Sequence, residues 1–301
     1  MDFLYALESA RTPFLNGLFS LLTHFGEETV VVVVFCILYW CVDKKLAYGI
    51  GVGYFSSALL VQSLKIGCRV ERPWVLDPDF QPVESALAHA TGYSFPSGHT
   101  NSATALYGAL ALRSKKGWQR AALAAMVALV AFSRMYLGVH TPADVGVGFL
   151  LTFAVCLLVY VLEKRCGGTP AYVLGVALIL SALCVGAFIF SMSLFNSGLI
   201  AEKNAADCFK IAGASLGFAV GYYIERRYID FSVRCDALWK QAVKLLLGIG
   251  GLLALKSGLK PLLGVSPAAL ALRYFVVILW ATVLWPLLIR RFFAKKDDDI
   301  A

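Results

Sequence analysis

Residues 171–195 contain no acidic, basic or histidine side chain. As a helix rising about 1.5 Å per residue, such a run exceeds the roughly 30 Å apolar interior of a bilayer. Segments 46–64 and 143–162 are long and apolar enough to do the same. Only 15% of the 301 residues are charged and 59% are hydrophobic, whereas a soluble domain carries about a quarter charged residues. The membrane is therefore the solvent, and water-soluble readings are set aside. The first residues hold Asp2, Glu8 and Arg11 in place of a basic flank and apolar run, so no cleavable signal peptide is expected.

The net charge of +8 resembles a nucleic-acid signature until the cations are placed. They gather in short connections: Lys44 and Lys45; Arg113, Lys115, Lys116 and Arg120; Lys164 and Arg165; Arg226, Arg227 and Arg234; and Arg290, Arg291, Lys295 and Lys296. Positive-inside bias produces this pattern, which orients the chain and names no nucleic-acid partner. The eight cysteines show neither metal-type nor disulfide-type spacing. Cys36, Cys41, Cys156 and Cys184 lie in apolar runs, where cysteine acts as a small hydrophobe.

The hydropathy pattern predicts an all-α integral membrane bundle of about nine transmembrane helices. They fall near 27–42, 46–64, 98–112, 120–137, 143–162, 171–194, 205–224, 241–258 and 267–289. Before them, Phe14, Leu15, Leu18, Leu22 and Phe25 recur at helical spacing among polar residues, which predicts an amphipathic helix in the membrane interface. The organisation expected is an interfacial helix over 1–26, a transmembrane core over 27–195, and further helices with a cytoplasmic tail over 196–301. Nine crossings with the basic connections inside place the N-terminus out and the C-terminus in.

Ionisable residues at span ends need a reason, because charge in a membrane is costly and usually functional. Three clusters meet that description. Lys65 is followed by Arg72-Pro73; Pro96-Ser97-Gly98-His99 opens the third span; Ser133-Arg134 precedes His140 and Asp144 across the fourth and fifth. The predicted topology puts all three on one face, the non-cytoplasmic one, although nothing in the motif search required it.

The residue types suit a phosphoryl group. Lys65, Arg72 and Arg134 are three cations for a dianion, the arginines offering planar forks of donors. Ser97 and Gly98 precede a helix start, where free N–H groups and the dipole favour an anion, and Ser97 adds a hydroxyl. His140 and Asp144 are four residues apart, so on a helix they share a face. Asp144 can then hold one ring nitrogen of His140 and leave the other as a nucleophile. His99, with no local carboxylate, is cast as the acid that protonates the leaving alkoxide. Taken singly, each cluster is an ordinary turn, snorkelling lysine or helix-start pair. Together the bland reading must account for all three spacings on one face.

These clusters resemble the three signature motifs of the type 2 phosphatidic acid phosphatase superfamily, which includes lipid phosphate phosphatases and vanadium haloperoxidases. Every signature position is filled without substitution, over roughly residues 46–162. The resemblance implies a six-helix phosphatase core, with His140 as nucleophile, Asp144 as its orienting partner and His99 as general acid. It further implies phosphate binding by Lys65, Arg72, Ser97, Gly98 and Arg134, and no metal or other cofactor. The soluble haloperoxidase branch does not fit so apolar a chain. The nine-span layout and Trp74-Val75-Leu76-Asp77 look in addition like glucose-6-phosphatases, on few residues.

The expected function is hydrolysis of a lipid phosphate or pyrophosphate, with an amphiphilic phosphorylated substrate drawn from the bilayer and membrane lipids as partners. A homo-oligomer is left open. The membrane would be the bacterial cytoplasmic membrane or, in a eukaryote, the endoplasmic reticulum. A soluble ester such as a sugar phosphate, and a non-catalytic binder or carrier, are the alternatives. The loop 74–95, which mixes Trp74, Leu76, Phe80, Leu87 and Phe95 with Asp77, Asp79 and Glu84, is expected to act as an apolar, mobile lid, with His89 as a candidate substrate contact.

Overall fold

The computed structural model describes residues 1–88 and 90–293, and among these there is no β-strand. His89 and the cations Lys295 and Lys296 lie outside the described residues. The chain opens with α1 (Asp2–Ser9) and α2 (Pro13–His24), followed by α3 (Glu28–Ile37), which runs on through a π-helical turn, Leu38–Val42. The core continues with α4 (Lys44–Cys68), the single turns α5 (Pro73–Leu76) and α6 (Glu84–Leu87), and α7 (Gly98–Ala103) with α8 (Ala109–Arg113). Then come α9 (Gly117–Tyr136), α10 (Pro142–Cys166) and α11 (Pro170–Asn196). The last part is α12 (Glu202–Ile224), α13 (Leu238–Leu263), α14 (Pro267–Leu279) and α15 (Trp285–Phe292).

Several starts are written locally. Thr12-Pro13, Thr141-Pro142, Thr169-Pro170 and Ser266-Pro267 each put a hydroxyl cap before a proline at the first helical position, and each hydroxyl accepts a backbone N–H. The N-terminal segment is thus two helices and not the single one expected, because Ala10–Thr12 breaks it and Thr12 caps a new start.

The nine predicted stretches are all helical, but by length and composition only α10, α11, α13 and the continuous α14–α15 suit a membrane crossing; α2 with α3, bent by 47°, would make a fifth. The shortfall has a physical reason. α4 is long enough but not apolar enough, because it is the central helix of the bundle, buried along most of its length, with polar Ser57 and Lys65 facing protein. It packs against α7, α10, α11 and α12. α12 also lies tightly along α14: a Cβ on Gly213 or Gly217 would overlap the backbone of Ala271 or Phe275. This spacing of small residues lets helix backbones approach closely where no water drives association.

Two ends of the bundle follow. One gathers the C-termini of α4 and α9 and the N-termini of α7 and α10; the other gathers the opposite termini, with Lys44, Arg113 and Glu163.

Candidate active site

The first of these ends holds the motif residues. A cavity of about 330 Å³ is lined by Lys65, Arg72, Gly98, His99, Arg134 and His140, within the range of small-ligand sites. Six of the eight residues expected to act on phosphate therefore share one wall. Asp144 sits directly behind His140, as an orienting partner must. Ser97 is the exception: its Oγ accepts the Thr100 N–H and hydroxyl, capping α7, and it does not line the cavity. A larger apolar concavity of about 690 Å³, between α9 and α10, contains none of this chemistry.

Arg72 is fixed by three carbonyls, donating from Nε to Gly92 and from its two terminal nitrogens to Val139 and Thr91 at 2.8–3.1 Å. Its Nη1 also lies 3.0 Å from His140 Nε2. Arginine has no acceptor, so Nε2 must be the unprotonated nitrogen, and the ring proton of a neutral imidazole is then on Nδ1. That nitrogen faces Asp144 Oδ2 at 3.4 Å, a long contact of the kind that tightens when substrate binds. Burial, then the charges of Arg72, Arg134 and Lys65, hold the His140 imidazole well below its ordinary value, which keeps it neutral near pH 7. Burial also lowers Arg72, to about 10, so it remains a cation.

Asp144 is fixed in turn. Its Oδ2 accepts the Thr141 N–H at 2.7 Å and the Ser94 hydroxyl at 2.6 Å, closing a capping box at the start of α10. Its carbonyl accepts the Ser97 N–H at 2.9 Å, tying the second motif to the third. Gly148, one turn along α10, has no Cβ because one would press on the Ser97 backbone at 3.0 Å. Below the site, Asn101 donates to Ser57 and Thr152, joining α7 to α4 and α10 through a buried polar clamp.

Arg134 differs from Arg72. It is fully buried, and among the described residues only Nη1 has a partner, Thr23 Oγ1 at 2.8 Å; Nε and Nη2 have none there, nor does His99 Nε2. Buried polar groups are nearly always satisfied. The two Arg134 donors call for an acceptor, and an oxyanion in the cavity has the right charge and valence.

Sequence reasoning missed several residues. Ser94 bonds Asp144 but looks like any loop serine. Thr23 carries no motif. Asp207 and Ile211 on α12, and Glu27 and Glu28 at the start of α3, also line the cavity. Described residues of the loop 74–95 and its surroundings are bonded: Val83 N donates to Leu137 O, Tyr5 to Asp77, Ser20 and Ser85 pair, and Arg11 donates to the Gln81 carbonyl, while Leu76 and Leu87 stay exposed. The described lid residue Phe80 is fully buried.

Comparison with known proteins gives the family. Residues 46–167 match the PAP2 superfamily, and residues 209–297 match the PAP2 superfamily phosphatase, transmembrane extension. Phosphatidylglycerophosphatase B of Bacillus subtilis (strain 168) is 30% identical over 173 residues, covering 52% of this chain and 78% of that protein. Sphingosine-1-phosphate phosphatase 1 of Rattus norvegicus is 26% identical over 217 residues, covering 68% of this chain and 47% of the relative. The chain thus spans about half the length of the sphingosine-1-phosphate phosphatases it matches. A solved PAP2-type phosphatidylglycerolphosphate phosphatase from Bacillus subtilis aligns with a TM-score of 0.46 at 27% identity, over 55% of this chain and 84% of that one. The protein belongs to the PAP2 superfamily.

Proposed function

We propose that this protein is a membrane phosphatase that removes phosphate from a lipid phosphate or pyrophosphate through a phosphohistidine on His140. The observation that carries the reading is the set of buried nitrogens without a partner among the described residues, the donors Arg134 Nε and Nη2 and the ring nitrogen His99 Nε2, in the same cavity as Lys65, Arg72 and His140. In the proposed reaction Nε2 of His140 attacks phosphorus as the ester P–O bond breaks, and His99 gives its proton to the departing alkoxide. Water then cleaves the P–N bond, with His99 taking the proton back. Lys65, Arg72 and Arg134 meet the charge on the equatorial oxygens, the task a metal ion performs in other phosphoryl-transfer sites, so no metal is required.

Relatives named for sphingosine-1-phosphate, phosphatidylglycerophosphate and undecaprenyl diphosphate support a lipid-borne phosphate. The basic connections support nine crossings with the N-terminus and the active site on the non-cytoplasmic side of the bacterial cytoplasmic membrane or the endoplasmic reticulum. Purified protein in chelator, offered phosphate esters from glucose 6-phosphate to long-chain lipid phosphates and pyrophosphates, should release phosphate from the long-chain esters at the highest kcat/KM. Release from the sugar phosphate alone would replace the lipid reading. Release from none would end the phosphatase reading.

A further inference from the structure

The catalytic cavity is not uniformly cationic. Lys65, Arg72 and Arg134 share its lining with three carboxylates, Glu27, Glu28 and Asp207. Carboxylates in a pocket for a phosphate dianion steady its cations, as Asp207 does for Lys65, but they repel the dianion itself and cost energy to bring near one another. Glu27 is engaged by His24 at 2.6 Å. The Glu28 carboxylate makes no hydrogen bond or ion pair among the described residues, and it lies within electrostatic reach of Asp207 and of the cations Lys65, Lys210 and Lys256. Asp207 Oδ1 accepts from Lys210 Nζ at 2.8 Å, while Oδ2 has only a long contact, 3.4 Å, from the Thr91 hydroxyl. Two carboxylates with spare acceptor capacity therefore face the space that holds the unsatisfied donors of Arg134, which is fully buried.

Their positions in the chain matter as well. Glu28 precedes the first family segment and Asp207 falls between the two, 46–167 and 209–297. Phosphate chemistry common to the superfamily therefore does not account for them. They come from different parts of the molecule, the first turn of α3 and the first part of α12, and the fold brings them to one cavity.

We propose that Glu28 and Asp207 form an acidic wall that selects a phosphate ester carrying a protonated amine close to its phosphate. This rests on the phosphatase reading above and narrows its substrate class. The cations take the phosphoryl oxygens, and the wall takes the ammonium, which stays charged at neutral pH as a lysine amine does. The first part of α12 thereby becomes a specificity element of the site.

A competing role runs through structure alone. The Thr91 carbonyl accepts from Arg72 at 2.8 Å, so Asp207 could act by tethering the Thr91 loop. Asp207→Asn keeps an acceptor for Thr91 and removes the charge; Thr91→Val removes the tether and keeps the charge. The measurement is kcat/KM of the full-length protein for sphingosine 1-phosphate and for an alkyl phosphate of the same chain length without the amine, read as a ratio. The wild type should prefer the amino ester, and Glu28→Gln and Asp207→Asn should each cut the ratio by about 10-fold, as loss of a charge-assisted contact does. Thr91→Val should leave the ratio in place. A wild type without preference, or carboxylate variants that slow both esters equally, would overturn the acidic wall while leaving the phosphatase intact. Hydrolysis of neither ester, nor of any lipid phosphate, would instead remove the phosphatase reading, and the wall with it.

Discussion

At one end of the bundle Lys44 Nζ meets Glu225 at 3.0 Å and the Phe231 carbonyl at 2.7 Å, and Arg113 is bonded to Glu163. Glu225 is fully buried and also accepts from Tyr48 and from the Phe231 N–H. At the other end Arg134 is as deeply buried, yet two of its nitrogens have no partner among the described residues. Burying an ion without compensation is expensive. The first end meets that cost internally, from α4 and the residues that follow α12, and so uses charge to join core and extension. The second leaves it for a ligand to meet. Buried ions thus have different meanings, and their partners separate them.

Replacing Arg134 by Met should draw the contrast most sharply. Turnover should fall by about 10²- to 10³-fold, the effect of removing one donor aimed at transition-state charge, while the melting temperature in detergent holds or rises because an uncompensated charge has gone. A fall in stability matching the fall in rate would make Arg134 a structural residue. Glu225→Ala should do the reverse, lowering stability by about 2 kcal/mol because the buried Tyr48 hydroxyl and the Phe231 N–H lose their acceptor while Lys44 keeps Asp230, with the kcat of the folded fraction preserved. Loss of kcat without loss of stability there would break the comparison. A subtler test uses native thiols. Cys68 is exposed beside the catalytic end, and Cys166 lies at the other. In sealed cells, variants retaining one of these cysteines should differ: a membrane-impermeant maleimide should label Cys68 from outside and Cys166 only after permeabilisation. The opposite pattern would invert the proposed orientation.

Much of this was legible in the sequence, for reasons that can be stated. Lys65, Arg72, His99, Arg134 and His140 stood out because polar residues beside apolar spans are conspicuous, and the His140–Asp144 spacing carries its own geometry. Helix positions followed from hydropathy, since each span must satisfy its backbone alone. What escaped lies in long-range contacts. Thr23 reaches Arg134 across 111 positions and Ser94 reaches Asp144 across 50, and neither belongs to any local pattern. Ser97 reads as a phosphate donor because a hydroxyl before a helix start serves as cap or as ligand, and the structure shows its oxygen capping α7. The part of α12 in the site was invisible for the same reason: Asp207 and Lys210, three apart, look like a surface ion pair until α4 is seen beside them.

The most direct test is to look for the covalent intermediate. Protein mixed with a ³²P-labelled lipid phosphate and quenched within the first turnover should carry acid-labile, base-stable label that peptide mapping places on His140, and His140→Ala should neither take up label nor release phosphate. Label on another residue, or undiminished turnover by the His140→Ala protein, would contradict the mechanism.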